Sequence, residues 1–558
     1  MRIAAIDIGT SSTRALLFEN ARYTGQSAAV EYALKSPEPG AAELDAMEVI
    51  NALVTCVQRL TQLTAAPIEC IALSSAMHSL LAVDARGVPL TPVYTWADNR
   101  ASVILENPEE WLPPTVSAKS IYLETGVPIH PMSPLLKLVW LRATRRALFD
   151  SAHKFVSIKE FVCHQLFGRW MVDDSIASAS GLYSLARRDW CDAALAAAGV
   201  TRTRLSEIAA PQTLLRGLSS GYAAAMNLPV ATPFVLGASD GCLANLGAGL
   251  LANAAGAAAR SGGVAGTGTD GSHSPRSSRR AVLTIGTSGA LRMAVPAPAT
   301  DAAMRTFCYA LAPDQNEYVI GGATNGGGLP MRWLRDNFPQ LHLGLGHAGR
   351  EHTAIEYAGR EHARLAATDP YTALAGLAAQ VPPGANGLLF HPYLAGERAP
   401  LWNADARASF VGLTFNHGPS HLVRAVMEGV LFNLSMILDV LEALAGGPVD
   451  EIVAGGGFAR SDFWLQMAAD LFNRPLVVAD NPESTAQGAA LLATQAMGVS
   501  ANLAAAAAAL PAATRRIAPE PTNAAVYAKL KPIFTAVPAT LAPFYTRLAA
   551  FQRGASAH

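Results

Sequence analysis

Residues 4–18 read AAIDIGTSSTRALLF, and residues 282–295 read VLTIGTSGALRMAV. In each, an apolar run rich in β-branched residues meets a Gly-Thr-Ser turn and a second apolar run follows, the pattern of a β-hairpin. Ile3 to Ile8 lead into the first turn and Ala15 to Phe18 leave it; Ala281 to Ile285 and Leu291 to Val295 do the same for the second. Strand-like segments (IECIALSS at 68–75, DEIVAGGG at 450–457) alternate with helix-like ones such as HLVRAVMEGVLFNLSMILDVLEAL at 421–444. The expectation is two related mixed α/β domains, each opening with one copy of the phrase.

Composition agrees with two cores. A chain of 558 residues is too long for one, and an apolar fraction of 51% is enough to fill both. A net charge of −1 gives no electrostatic case for nucleic acid or an acidic membrane, so partners are expected to be small molecules or proteins. Cys56, Cys70, Cys163, Cys191, Cys242 and Cys308 are scattered without a C-x-x-C pair, as in an enzyme with reduced thiols. The opening MRIAAIDIG enters a strand pattern directly, and no run approaches the length of a membrane span, so the cytoplasm is the expected location. The stretch SGGVAGTGTDGSHSPRSSRR at 261–280 offers little to bury. It suggests a mobile linker over 250–281 between domains at 1–249 and 282–500, with a helical extension at 501–558.

A Gly-rich turn between strands lets backbone N–H groups approach an anion, and Thr and Ser hydroxyls add donors. Two such turns suit the β- and γ-phosphates of a nucleotide, with Asp7 holding Mg²⁺ directly or through water. Taken singly, either turn reads equally as an ordinary hairpin; the recurrence in a matching frame favours phosphate. No G-x-x-x-x-G-K-[ST] string is present to compete. A third cluster, Gly455, Gly456 and Gly457, passes from strand to helix and offers bare backbone to a flat group such as adenine. A turn without chemical role is the alternative there.

Several separated segments together carry a family resemblance: DIGTSSTRALLF, SSAMHSLLAVD at 74–84, TWADNR at 95–100, GASDGCLANLGAG at 237–249, TIGTSGALR at 284–292, GGATNGGGLPMRWL at 321–334, FHPYLAGERAPLWN at 390–403 and ESTAQGAALLA at 483–493. The chain resembles the FGGY carbohydrate kinases over most of residues 1–497. The resemblance implies an α/β fold of two ribonuclease H-like domains, of the actin and hexokinase ATPase type, with a cleft between them. Within the family, SSAMHSLLAVD, TWADNR and SIKEFVCHQLFGRWMVDDSIASASGLYSL at 157–185 look most like gluconokinases; xylulokinases usually carry Gln where Ala76 stands.

What the resemblance implies for chemistry is ATP- and Mg²⁺-dependent phosphorylation of D-gluconate at its 6-hydroxyl. Asp240 matches the family's base, which accepts the hydroxyl proton as phosphoryl transfer proceeds. Asp7 is the expected Mg²⁺ partner. Thr10, Ser11 and Thr13 belong to the first phosphate turn, and Gly286 and Thr287 to the second. Gly456 and Gly457 back the nucleotide, with Asn325 and Ser461 as neighbours. Arg14 is either a phosphate contact or a solvated strand residue. The sugar pocket maps to Met77, His78, Trp96, Asp98 and Arg100, with Arg100 or Lys159 pairing the sugar acid's carboxylate. Core packing is the alternative for Met77 and Trp96, and a satisfied buried imidazole for His78. A kinase of another sugar such as xylulose, and an actin-like binding protein switched by nucleotide, are the competing functions. A homodimer is among the assemblies open to it.

Overall fold

The computed structural model describes residues 1–106, 110–251, 279–341, 369–478, 483–510 and 515–555. The expected mobile linker falls largely on 252–278, outside the described residues. Two compact units emerge: Met1–Ser278 with Met293–Ile320 and Glu483–Ala512, and Arg279–Arg292 with Gly321–Pro482 and Ala513–His558. The units therefore do not follow chain order.

The first unit is built on a six-stranded sheet ordered Leu214–Leu215, Phe234–Ser239, Cys70–Ser75, Arg2–Ile8, Ser12–Glu19 and Arg22–Glu31. The expected first hairpin is present, with Asp7 opposite Arg14 and Ile8 opposite Thr13. Arg2–Ile8, Cys70–Ser75 and Phe234–Ser239 run parallel. Cys70–Ser75 is buried along its whole length, as a parallel strand covered on both faces should be. The amphipathic helix Ala46–Leu63 supplies one cover. Its start is fixed by Asp45, whose carboxylate accepts from the N–H groups of Met47 and Glu48, and its inner face (Val49, Ile50, Leu53, Val57, Leu60) joins Ile6, Ile71 and Leu73 in one core.

Two later segments join this unit for identifiable reasons. Tyr122 donates its hydroxyl proton to the carbonyl of Thr306 at 2.8 Å and accepts from the Asp301 N–H at 3.0 Å, tying in Met293–Ile320. The helix Ser484–Ala496 lies against Asp240–Gly247 so closely that a Cβ on Gly247 would stand 1.8 Å from the Ser484 carbonyl oxygen, and one on Gly488 2.0 Å from that of Leu243. Glycine at both positions is what lets these helices meet backbone to backbone.

In the second unit Arg280–Ile285 pairs in parallel with Glu451–Gly455, which pairs in parallel with Leu476–Val478; Arg515–Ile517 closes that side antiparallel. On the other side of Arg280–Ile285 lies Gly289–Val295, its partner in the second expected hairpin. Pro419–Leu444 is buried round nearly its full circumference through the middle, where Arg424, Glu428, Asn433 and Ser435 are buried along with the apolar residues. The expected C-terminal extension contains the helices Leu503–Ala508 and Pro521–Ala555 with Arg515–Ile517 between them. Among the described residues no helix is long and apolar enough to cross a membrane.

Candidate functional site

In the first unit three parallel strands end side by side. Asp7 is in register with Ser74, Ile8 with Ser75, and Ser75 with Ser239. The carboxyl ends of parallel strands are where open α/β sheets place their ligands. Asp7 is steadied from two directions: its Oδ1 accepts from Ser74 Oγ at 3.0 Å and its Oδ2 from Arg14 Nη2 at 3.3 Å. Arg14 also reaches Glu483 at 3.1 Å, so its charge is shared between two carboxylates.

The turn after Asp7 is closed by the Gly9 N–H, which donates to the Ser12 carbonyl at 2.9 Å, leaving Thr10 half-buried and Ser11 exposed. Thr13, expected on the same phosphate-binding face, is placed elsewhere. It is fully buried, with its hydroxyl 3.2 Å from that of Tyr32, and the Tyr32 hydroxyl donates to the Gly9 carbonyl at 2.7 Å. Burial pushes the Tyr32 phenol up to about 12, so it stays protonated and acts as a donor. Thr13 thus braces the turn from beneath, because strand alternation points it into the core.

Asp240 opens the helix Asp240–Gly247 immediately after the strand Phe234–Ser239, half-exposed, with the Gly241 N–H donating to its Oδ1 at 2.7 Å. The expected sugar-pocket residues gather in this unit as well. Trp96 donates from Nε1 to Thr10 Oγ1 at 3.1 Å, which joins that pocket directly to the first turn. His78 is buried at a backbone φ of 65°, with Nδ1 2.8 Å from the Ala179 carbonyl oxygen and Nε2 3.3 Å from the Tyr309 hydroxyl. The carbonyl can only accept, so Nδ1 carries the proton. Met77 beside it is half-buried.

Both cations expected to meet the substrate carboxylate are already paired. Arg100 donates to Asp98 at 2.6 Å, Glu38 at 2.6 Å and Glu43 at 2.5 Å. Burial works against its charge, but these bonds outweigh it and hold the guanidinium above its usual range. Asp98 is 1% exposed and also accepts from the Ala42 N–H at 3.1 Å. Lys159, likewise 1% exposed, places Nζ 2.7 Å from Asp173.

In the second unit Gly286 and Thr287 are exposed at the tip of the second hairpin, and no atom lies within 4 Å of where a Gly286 Cβ would stand. The turn is held from behind by the glycine run that follows Asn325. Gly328 donates to the Gly286 carbonyl at 2.7 Å, Leu329 to that of Thr287 at 3.1 Å, and Arg332 Nη2 to Thr287 Oγ1 at 3.3 Å. The third glycine cluster meets the same turn. Gly456 has φ of 87°, and a Cβ there would stand 2.6 Å from the Ile285 carbonyl oxygen. Its bareness is demanded by packing, whereas a Cβ on Gly457 would find only that oxygen, at 4.0 Å. Ser461 caps the helix Asp462–Phe472 by accepting from the Trp464 N–H at 3.3 Å.

Glu397 organises the Asn325 loop. It accepts from Asn325 N–H at 2.9 Å and Thr324 Oγ1 at 2.7 Å, as well as from Asn433 Nδ2 at 3.0 Å. Burial pushes its carboxyl up to about 7 despite these donors. The sequence reading assigned no role to Glu397, Ser74, Tyr32 or Glu483. Their signal was limited to standing inside motif segments (Ser74, Glu397, Glu483) or, for Tyr32, directly after the strand Arg22–Glu31.

Among the described residues no three His, Cys, Asp or Glu side chains cluster as a metal cage. A lone carboxylate such as Asp7 fits a Mg²⁺ that takes its other ligands from phosphate and water. Each unit thus presents a Gly-Thr-Ser turn with exposed residues, Ser11 in the first and Gly286 and Thr287 in the second, and in the first unit Asp7 precedes that turn while Asp240 follows the end of a parallel strand.

Comparison with known proteins gives the same result. The N-terminal domain model of the FGGY family of carbohydrate kinases matches residues 2–247, and the C-terminal domain model matches 281–497. Gluconokinase from Bacillus subtilis (strain 168) is 39% identical over 554 residues, covering 99% of this chain and 98% of its own. Two solved structures from Lactobacillus acidophilus, one of gluconate kinase and one of ligand-bound xylulose kinase, each superpose with a TM-score of 0.84 at 31% identity, covering 98% of this chain and 99% of theirs. The chain belongs to the FGGY family of carbohydrate kinases, with the two-domain fold of that family.

Proposed function

We propose that the protein transfers the γ-phosphoryl group of ATP to the 6-hydroxyl of D-gluconate, giving 6-phosphogluconate and ADP. The observation that carries the choice of substrate is the end-to-end identity of 39% with a gluconokinase. Asp240 is the base in this reading: its carboxylate orients the primary hydroxyl and takes the proton as the new O–P bond forms. Gly9 to Ser11 and Gly286 to Thr287 are the phosphate-binding turns, with Gly457 beside the nucleotide. Mg²⁺, when bound through Asp7, neutralises charge on the β- and γ-phosphate oxygens. Trp96, His78 and Met77 form the sugar pocket. The carboxylate of gluconate is met by neutral donors or by exchange of one of the partners of Arg100, since that cation is already paired. Six free, buried cysteines accord with a reducing compartment, and we place the protein in the cytoplasm.

A second reading, phosphorylation of xylulose, is supported by the equal superposition on a xylulose kinase. A panel of gluconate, xylulose, glycerol and related polyols, with ADP release coupled to a spectrophotometric readout, separates the two. Gluconate is expected to give the highest kcat/KM; preference for xylulose by tenfold or more reverses the assignment. Asp240→Asn is expected to bind ATP normally and to lose about 10²- to 10⁴-fold in kcat.

A further inference from the structure

Lys159 is the start of a buried polar chain that ends at the residue before Asp240. Its Nζ lies 2.7 Å from Asp173 Oδ2, and Asp173 Oδ1 accepts from Ser175 Oγ at 2.5 Å and from the N–H groups of Ser175 and Ile176 at 3.0 and 3.2 Å. Ser175 Oγ in turn accepts from the Ser239 N–H at 2.7 Å. Lys159, Asp173, Ser175 and Ser239 are each 1% exposed or less.

The polarity of this chain is fixed by chemistry. A carboxylate facing an ammonium is an acceptor only, so the single proton of Ser175 points to Asp173 and a lone pair is left facing Ser239. The strand leading to Asp240 has need of such an anchor. Its pairing with Cys70–Ser75 shifts register between Val235 and Ala238, where Gly237 has φ of 72° and passes so close to Leu73 that a Cβ would stand 1.6 Å from its carbonyl oxygen. A bulge of this kind interrupts the ladder just before the strand end, where only Ala238 and Ser239 resume pairing with Ser74 and Ser75. Nor does the Ser239 side chain cap the helix that follows. The same Asp173 caps the short helix Asp174–Ala179, whose far end supplies the carbonyl that holds His78 Nδ1 at 2.8 Å.

We infer that Ser175, locked by the Lys159–Asp173 pair, is a positioning residue that sets where the carboxylate of Asp240 stands, and that Lys159 serves this chain and not the substrate carboxylate. The inference rests on the reading of Asp240 as the base. Ser175→Ala deletes the hydroxyl while leaving the buried ion pair intact. It is expected to lower kcat with gluconate about tenfold, in line with one lost hydrogen bond, while KM for ATP stays within twofold. The decisive measurement is a double-mutant cycle with Asp240→Asn. In that background Ser175→Ala is expected to change kcat less than twofold, because the group it positions is gone. An equal loss in both backgrounds, or wild-type kcat in Ser175→Ala alone, overturns the positioning role while leaving the base reading standing. Wild-type turnover in Asp240→Asn alone sinks the base reading and this inference with it. Should Ser175→Ala not fold, Ser175→Cys, which keeps the side-chain shape with a much weaker acceptor, is read in the same cycle.

Discussion

Glu397 makes the stability of the second unit depend on pH in a calculable way. Each group bonded to the carboxylate is a donor: the Asn325 and Arg398 N–H groups on Oε1, and Thr324 Oγ1 and Asn433 Nδ2 on Oε2. Burial nevertheless dominates and raises its pKa from 4.5 to about 7. A carboxyl raised in the fold contributes stability that is complete below its unfolded pKa and is lost as pH rises through the folded one. Integrating between pH 5.5 and 8 gives a loss of about 2 kcal/mol from this group. Glu397→Gln cannot titrate. At pH 5.5 the wild-type carboxyl is itself protonated, so the neutral amide should match wild-type stability there to within about 1 kcal/mol. On going to pH 8 wild type should then lose about 2 kcal/mol relative to the non-titrating variant. Urea unfolding of both proteins at the two pH values measures the gap, and hydrogen exchange at Asn325 and Gly326 localises it. Parallel pH curves for the two proteins would refute the reasoning. So would an Asn325 exchange rate that responds to pH identically in wild type and variant, because its N–H bonds directly to the titrating carboxyl.

Three further outcomes test other parts of the structure. Lys159→Met leaves Asp173 charged and fully buried without its partner, which should cost about 3–5 kcal/mol in thermal unfolding and be largely restored by adding Asp173→Asn. An unchanged melting temperature with a raised KM for gluconate would show that Lys159 meets the substrate after all. Gly456→Ala puts a methyl 2.6 Å from the Ile285 carbonyl at φ of 87°. The strain should cost about 1–3 kcal/mol and shift the second turn, and wild-type ATP affinity by titration calorimetry would contradict that coupling. All six cysteines are buried, and burial pushes Cys70, Cys163 and Cys308 up to about 12. A thiol reagent at pH 8 should therefore label none in the native protein and six after unfolding; rapid native labelling of any one contradicts this packing.

The hairpins were legible because their signal is local: alternating or continuous apolar runs about a Gly-Thr-Ser turn fix strand, turn and strand within some fifteen residues. Asp7 and Asp240 were legible as candidates through motif segments, and the strand register then set Asp7 beside Ser74 and Ser239 beside Ser75. What the sequence could not show was which polar groups spend their charge inside the protein. Lys159 and Asp173 are fourteen positions apart on different elements, and the ion pair forms only because Ile158–Phe167 and Met171–Asp173 fold back on one another. Arg100 lies two residues from Asp98, yet its other partners, Glu38 and Glu43, come from a segment some sixty residues earlier.

Thr13 is buried for a simpler reason. In a strand successive side chains face opposite sides, so of the hydroxyls following Gly9 those of Thr10, Ser11 and Ser12 escape the core and that of Thr13 does not. The same logic separates the two readings of Gly456 and Gly457. Adjacent glycines look alike in sequence, but one is required by a carbonyl of its own fold and the other is not. A glycine that packing does not require is the better pointer to a ligand. On that ground Gly457→Ala, with room for its methyl, should fold as wild type and lose ATP affinity, whereas Gly456→Ala should lose both.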